Sequence, residues 1–184
     1  GHSASYAVES YQCLFLKAYF PLEYMTATIN NFGGFFKTEI YIHEARMHGA
    51  VIEAPCVNTS GEEAIIRGVR ITLGLQMIKG LEHGVRRAVL LAQAERPFLS
   101  LDDFLDRVSI GLEQAVLLAR SGALRFTAIG KKELMWQLHF KLGREKMSRV
   151  EDVLFATQRS NATVPALEHH WLEDAYDELE LFGF

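Results

Sequence analysis

One stretch of this chain combines residue types and spacing that suit a defined chemistry. Ile78-Lys79-Gly80-Leu81-Glu82-His83-Gly84-Val85-Arg86-Arg87-Ala88-Val89 packs two glycines, a histidine and three cations into twelve residues. A short helix running into a glycine-bearing turn, followed by a helix that opens on two arginines, is the layout of a helix-hairpin-helix. Glycine lets the turn backbone approach a phosphate, and the N–H groups at the start of the second helix donate to its oxygens. Lys79, Arg86 and Arg87 supply counter-charge. Contacts of this kind read the nucleic-acid backbone and not its bases. The structural alternative is a packing corner between two helices with arginines in solvent.

Other chemistry finds no complete set of residues. His43 and His48 stand five positions apart, about 140° around a helix, so they cannot share a metal. His169 and His170 are adjacent and diverge on a helix. Neither a nucleophile elbow nor a phosphate loop nor a dinucleotide fingerprint occurs, and Gly130-Lys131-Lys132 lacks the flanking residues of a phosphate loop. No Asp-x-Asp pair is available for two-metal chemistry. Asp102-Asp103 and Asp174 read as helix starts and acidic faces. The expectation is no catalytic residue, no metal ligand and no bound cofactor in this chain.

Length and composition allow one ordinary domain or two small ones: 184 residues, 49% hydrophobic, 11% aromatic. The net charge of −4 conceals a segregation. Residues 1–63 hold three cations and seven acids, residues 64–149 hold fifteen cations and eight acids, and residues 150–184 hold Arg159 against eight acids. A basic block between acidic flanks points to a local polyanion surface, with solvated helix faces as the alternative. The two cysteines, Cys13 and Cys56, cannot build a disulfide framework or a zinc site. They fit a reducing, cytoplasmic setting. No uncharged apolar run reaches the ~18 residues of a membrane span. Glu9 and Lys17 interrupt the apolar N-terminus, so no signal peptide and no membrane partner are expected.

Periodicity predicts a mainly α chain with a small β element. Helices are expected over 6–19, 22–30, 36–48, 76–79, 85–94, 101–108, 112–120, 131–142 and 168–181. Pro21 and Pro97 stop helices, and Ser100 is an N-cap. Residues 50–55 read as a short strand, and 63–66 with 69–73 as a hairpin around Arg67-Gly68. Residues 148–158 are ambiguous, and 159–165 read as linker.

A resemblance joins these pieces. His2-Ser3-Ala4-Ser5-Tyr6-Ala7, Tyr11-Gln12 and Leu16-Lys17-Ala18-Tyr19-Phe20-Pro21-Leu22-Glu23-Tyr24-Met25 resemble the fingers of the bacterial C-family DNA polymerases, the family of the DNA polymerase III alpha subunit. The same proteins are matched in order by Glu44-Ala45-Arg46-Met47-His48-Gly49, then Ile52, Pro55 and Val57-Asn58, then Leu73-Gly74-Leu75 and Ile78-Lys79-Gly80. Pro97-Phe98-Leu99-Ser100-Leu101-Asp102-Asp103-Phe104, Arg120-Ser121-Gly122-Ala123-Leu124 and the acidic end Asp177–Phe184 continue the series.

The resemblance implies the C-terminal part of the fingers at 1–60, a tandem helix-hairpin-helix region at 61–149, and an acidic linker and helix at 150–184 leading towards an OB domain. The parent would be a Mg-dependent, DNA-directed DNA polymerase, a nucleotidyltransferase of DNA replication. Its catalytic aspartates have no match here, so this piece alone is expected to be inactive. Duplex primer–template DNA would meet Lys79, Gly80, Leu81, His83, Gly84, Arg86 and Arg87, with Arg120 and Arg125 from the second hairpin. Glu82 departs from the glycine usual in the family's hairpin, and a carboxylate there would repel phosphate. The family's sliding-clamp pentapeptide would fall on Glu151-Asp152-Val153-Leu154-Phe155, with Leu154 and Phe155 as the anchoring pair and Glu151 in place of the usual glutamine. Two other readings stand beside the replicative one. The parent is an error-prone, translesion member of the family, which the stretch from Lys131 to His139 resembles. Or the piece is a protein-interaction scaffold contacting other polymerase subunits.

Overall fold

The computed structural model describes residues 2–143 and 170–184. Three helices come first: α1 (His2–Tyr19), α2 (Pro21–Asn30) and α3 (Thr38–Met47). Pro21 does not merely stop α1. It occupies the first turn of α2, where its missing N–H costs nothing. Residues 36 and 37 lie outside α3, and the Phe36 N–H donates to the Tyr41 hydroxyl at 3.3 Å instead of to a helical carbonyl.

Three short strands follow: β1 (Val51–Glu53), β2 (Ile65–Arg67) and β3 (Arg70–Thr72). The expected hairpin is present, with β2 antiparallel to β3 around Gly68. β1 adds to it in parallel, Val51 opposite Arg70, so the sheet order is β1-β3-β2. The expected helix at 76–79 is only a 3-10 turn, Leu75–Met77. Leu75, Met77 and Ile78 are all buried, and a continuous helix would carry some of them out to solvent.

The remaining helices are α4 (His83–Glu95), α5 (Leu101–Arg107), α6 (Leu112–Arg120), α7 (Lys131–Leu142) and α8 (Trp171–Phe182). α4 opens two residues before the expected Val85, because the turn ends at Glu82. Residues 148–158, 159–165 and 168–169 lie outside the described residues, as do Leu154 and Phe155. Among the described residues, no helix is long and apolar enough to cross a membrane.

One core runs through the described residues. Met25, Ile29, Ile42 and Ala45 pack from α2 and α3 towards Ile71 of the sheet, and continue through Ile78, Phe98, Phe104, Leu118 and Leu138. Asn30 fixes the end of α2 by exchanging two hydrogen bonds with the Ala64 backbone, at 3.0 and 2.7 Å. α1 buries none of its residues. Its apolar period is as expected, but Tyr11, Leu14 and Phe15 face solvent.

Gly74 sets the geometry under the first hairpin. A Cβ there would lie 2.3 Å from the Glu62 carbonyl oxygen, so only glycine lets residues 61–63 lie across 74–76. Leu75 and Gln76 then donate to the carbonyls of Gly61 and Glu62 at 3.0 and 3.1 Å.

The corner between α4 and α5 depends on Asp103. Ser100 caps α5 by accepting from the Asp103 N–H at 3.1 Å. The Asp103 carboxylate accepts two hydrogen bonds from Arg96, at 3.0 and 2.6 Å, and one from the Leu99 N–H at 3.0 Å. The Arg96 hydrogen bond first, and the Leu99 N–H next, lower its pKa to about 2. A carboxyl held below its unfolded value of about 4 stabilises the fold above that value, and the contribution disappears as pH falls towards 2. Thermal unfolding followed from about pH 5 down to about pH 2 is therefore expected to fall more steeply for the native chain than for Asp103→Asn. Parallel profiles would show that this network adds nothing to acid stability.

Candidate nucleic-acid interface

The hairpin is built from its buried residues outward. Ile78 and Leu81, 1% and 4% exposed, anchor the two ends of the turn. Between them Gly80 adopts φ +80°, a backbone shape that L side chains rarely take. Glu82 does not need that freedom. It is extended, φ −65° and ψ 141°, so its departure from the family glycine carries no backbone cost. Its side chain is exposed and caps nothing.

α4 starts at His83 with no side-chain cap, and its first intrahelical bond is Arg86 N–H to the Glu82 carbonyl. The N–H groups of His83, Gly84 and Val85 therefore have no helical acceptor. The positive end of the helix dipole lies at the same place. His83 and Gly84 are exposed, and a Cβ on Gly84 would meet nothing within 4 Å. The backbone at this helix start is open to an anion.

Sequence reasoning missed the residue that holds the turn. Gln114 of α6 accepts from the Glu82 N–H at 2.8 Å and donates to the Gly80 carbonyl at 3.1 Å. It clasps both sides of the turn and ties the first hairpin to the second. A glutamine on an amphipathic helix carries no signal of this in the sequence.

The cations divide into two groups. Lys79 and Arg87 are exposed and make no ion pair among the described residues. Arg86, next to Arg87, turns the other way. Its Nε donates to Glu62 at 2.8 Å and its terminal nitrogen to the Leu81 carbonyl at 2.8 Å, so it braces the turn against the Glu62 loop. Arg125 is likewise turned onto backbone, donating to the carbonyls of Ala54 at 2.9 Å and Gly122 at 3.2 Å.

Arg120 meets α8. It binds Asp177 at 2.7 Å and also pairs with Glu180, and hydrogen bonding to Glu180 and then to Asp177 raises its pKa. Lys131 lies against Asp174 at 2.5 Å and Asp177 at 3.0 Å. Burial opposes its charge, but the two carboxylates outweigh it and the pKa is raised. A cleft of about 350 Å³ is lined by Arg120, Lys131 and Lys132 together with Glu173, Tyr176 and Asp177. Lys79, Gly80, His83, Gly84 and Arg87 are thus exposed around the turn and the start of α4, Leu81 is buried beneath the turn, and Arg86, Arg120 and Arg125 are held in internal pairings. Among the described residues, no three His, Cys, Asp or Glu side chains are grouped to hold a metal ion.

Known proteins share this region of the sequence. The sequence profile of the helix-hairpin-helix motif matches residues 49–134. The error-prone DNA polymerase of Corynebacterium glutamicum is 32% identical over 137 residues, 74% of this chain and 13% of that protein. Error-prone DNA polymerase 1 of Agrobacterium fabrum is 30% identical, across 91% of this chain and 16% of its own length. The DNA polymerase III subunit alpha of Thermus aquaticus is 37% identical over 110 residues, 58% of this chain and 9% of its own. The chain spans 9% to 16% of these relatives. It belongs with the bacterial C-family DNA polymerases, as a homologue of their helix-hairpin-helix region.

Proposed function

We propose that this chain is the duplex-gripping segment of a bacterial DNA polymerase, and that it holds primer–template DNA by its phosphate backbone without reading sequence. The observation that carries the proposal is the open start of α4 behind the Gly80 turn, flanked by the unpaired Lys79 and Arg87. Backbone N–H groups and a helix dipole offer an anion a site there, and the exposed Lys79 and Arg87 stand four residues before and after His83 in the chain. His83 and Gly84 are exposed at the same helix start, Leu81 anchors the turn from the core, and Arg86 braces it against the Glu62 loop.

In this reading residues 1–60 are fingers, 61–149 carry the paired hairpins and 150–184 lead towards a further domain. The parent performs template-directed nucleotidyl transfer in the cytoplasm. In this reading the Mg²⁺ of that reaction would be held by the parent's catalytic aspartates, which have no match in this sequence. Other polymerase subunits are partners in the same reading, with the sliding clamp engaged through Leu154 and Phe155. The relatives carry both error-prone and alpha-subunit names, and fidelity of the full-length enzyme separates those two parents.

The test is fluorescence anisotropy of a labelled primer–template duplex across a salt series. Affinity is expected to fall steeply with salt and to be indifferent to base sequence. Absence of binding at low salt would overturn the reading and leave a protein-interaction module.

A further inference from the structure

α8 carries five acids, Glu173, Asp174, Asp177, Glu178 and Glu180, and no basic residue. Four of the five meet cations of α6 and α7. Glu173 pairs with Lys132 at 2.8 Å, Asp174 and Asp177 with Lys131, and Asp177 and Glu180 with Arg120. The spacing 173, 174, 177 and 180 places these four carboxylates within about 120° of one side of the helix, over about two turns. That is a ladder of anions laid along three cations, as a phosphate backbone would be. The anchor of α8 is elsewhere. Leu181 and Phe182 are buried, and the Leu181 carbonyl accepts from the Lys79 N–H at 2.9 Å, beside the first hairpin. The apolar end fixes the helix, while the rest is held largely by ion pairs. Such pairs near the surface contribute little each and are screened by salt.

We infer that Arg120, Lys131 and Lys132 form a second phosphate-backbone site on the α6–α7 face, and that the acidic side of α8 occupies it until duplex DNA displaces it. This rests on the duplex-binding reading and adds a competitor to it. A site open for only a fraction of the time binds with its affinity reduced by that fraction.

The test compares two charge-matched triple variants of the full chain in duplex titrations. Asp174→Asn, Asp177→Asn and Glu180→Gln together neutralise the latch. Glu23→Gln, Asp106→Asn and Glu178→Gln together change the net charge equally, at exposed acids without a cation partner among the described residues. The latch variant is expected to bind duplex about tenfold more tightly than the control variant. Its salt dependence should steepen by about 1.8 in log–log slope, about 0.9 for each of Arg120 and Lys131 freed, since Glu173 still pairs with Lys132. Adding Lys131→Gln should remove most of that gain. Hydrogen exchange of α8 amides in the native chain should speed up when duplex is bound. Equal affinities for the two variants, or α8 exchange unchanged at saturating duplex, would overturn the latch while leaving duplex binding in place. Failure of all the chains to bind duplex would overturn the reading beneath it as well.

Discussion

Phe104→Ala is expected to destabilise the chain by about 3–5 kcal/mol, the range for a large aromatic removed from a packed core. For a chain of this size that corresponds to a fall of roughly 10 °C in Tm. Phe104 is fully buried and Phe98 is 2% exposed, and their rings meet edge to face with centroids 5.0 Å apart. Nothing nearby is free to fill the hole. The Phe98 backbone is clasped by Asn58, which donates to its carbonyl at 2.9 Å and accepts from its N–H at 2.8 Å. The Arg107 guanidinium lies over the Phe98 ring, 4.6 Å from its centroid. Arg107 also donates to the Arg96 carbonyl at 3.0 Å. The cavity left by alanine would therefore persist, and both the transfer and the cavity contributions count in full. Urea unfolding of the native and variant chains measures the loss. A value below about 1 kcal/mol would mean that this corner repacks, which the bonds on both sides of Phe98 argue against.

The elements that local chemistry dictates were legible in the sequence. α6 and α7 begin and end where the apolar period and the glycines Gly111, Gly122 and Gly130 place them. The hairpin at Gly68 and the Ser100 cap are legible for the same reason, since one residue and its near neighbours decide them. Pairing across the chain was not. Arg86 and Arg87 are adjacent cations and look equivalent in the sequence. About 100° of helix rotation separates them, and it turns one onto Glu62 and the other to solvent. Glu62 is in reach only because Gly74 admits its backbone. Glu82 stood out by identity, yet its φ is ordinary and the turn's conformational demand falls on Gly80. The opposite charges of the central block and the C-terminus were readable as totals. Which carboxylate would meet which cation depends on how α8 lies against α6, and composition holds no information on that.

Replacing Lys79 and Arg87 together by alanine is expected to weaken duplex binding most, and by an amount that depends on salt. Each cation that neutralises a phosphate adds about 0.9 to the magnitude of the log–log salt slope. Losing two should lower the slope by about 1.8, and by counterion release alone the affinity falls roughly two-hundredfold at 50 mM salt but only roughly twentyfold at 200 mM. Both residues are exposed and unpaired among the described residues, so the variant should unfold at the native temperature. Arg86→Ala makes the opposite comparison. Its guanidinium bonds Glu62 and the Leu81 carbonyl, and its loss frees the turn without removing a phosphate contact. Its affinity should fall by the same factor at every salt concentration, with a lowered Tm. A deficit that shrinks as salt rises marks a lost phosphate contact, and a constant deficit marks a misplaced turn. If the double variant gave the constant pattern, the open start of α4 would not be where the duplex is held.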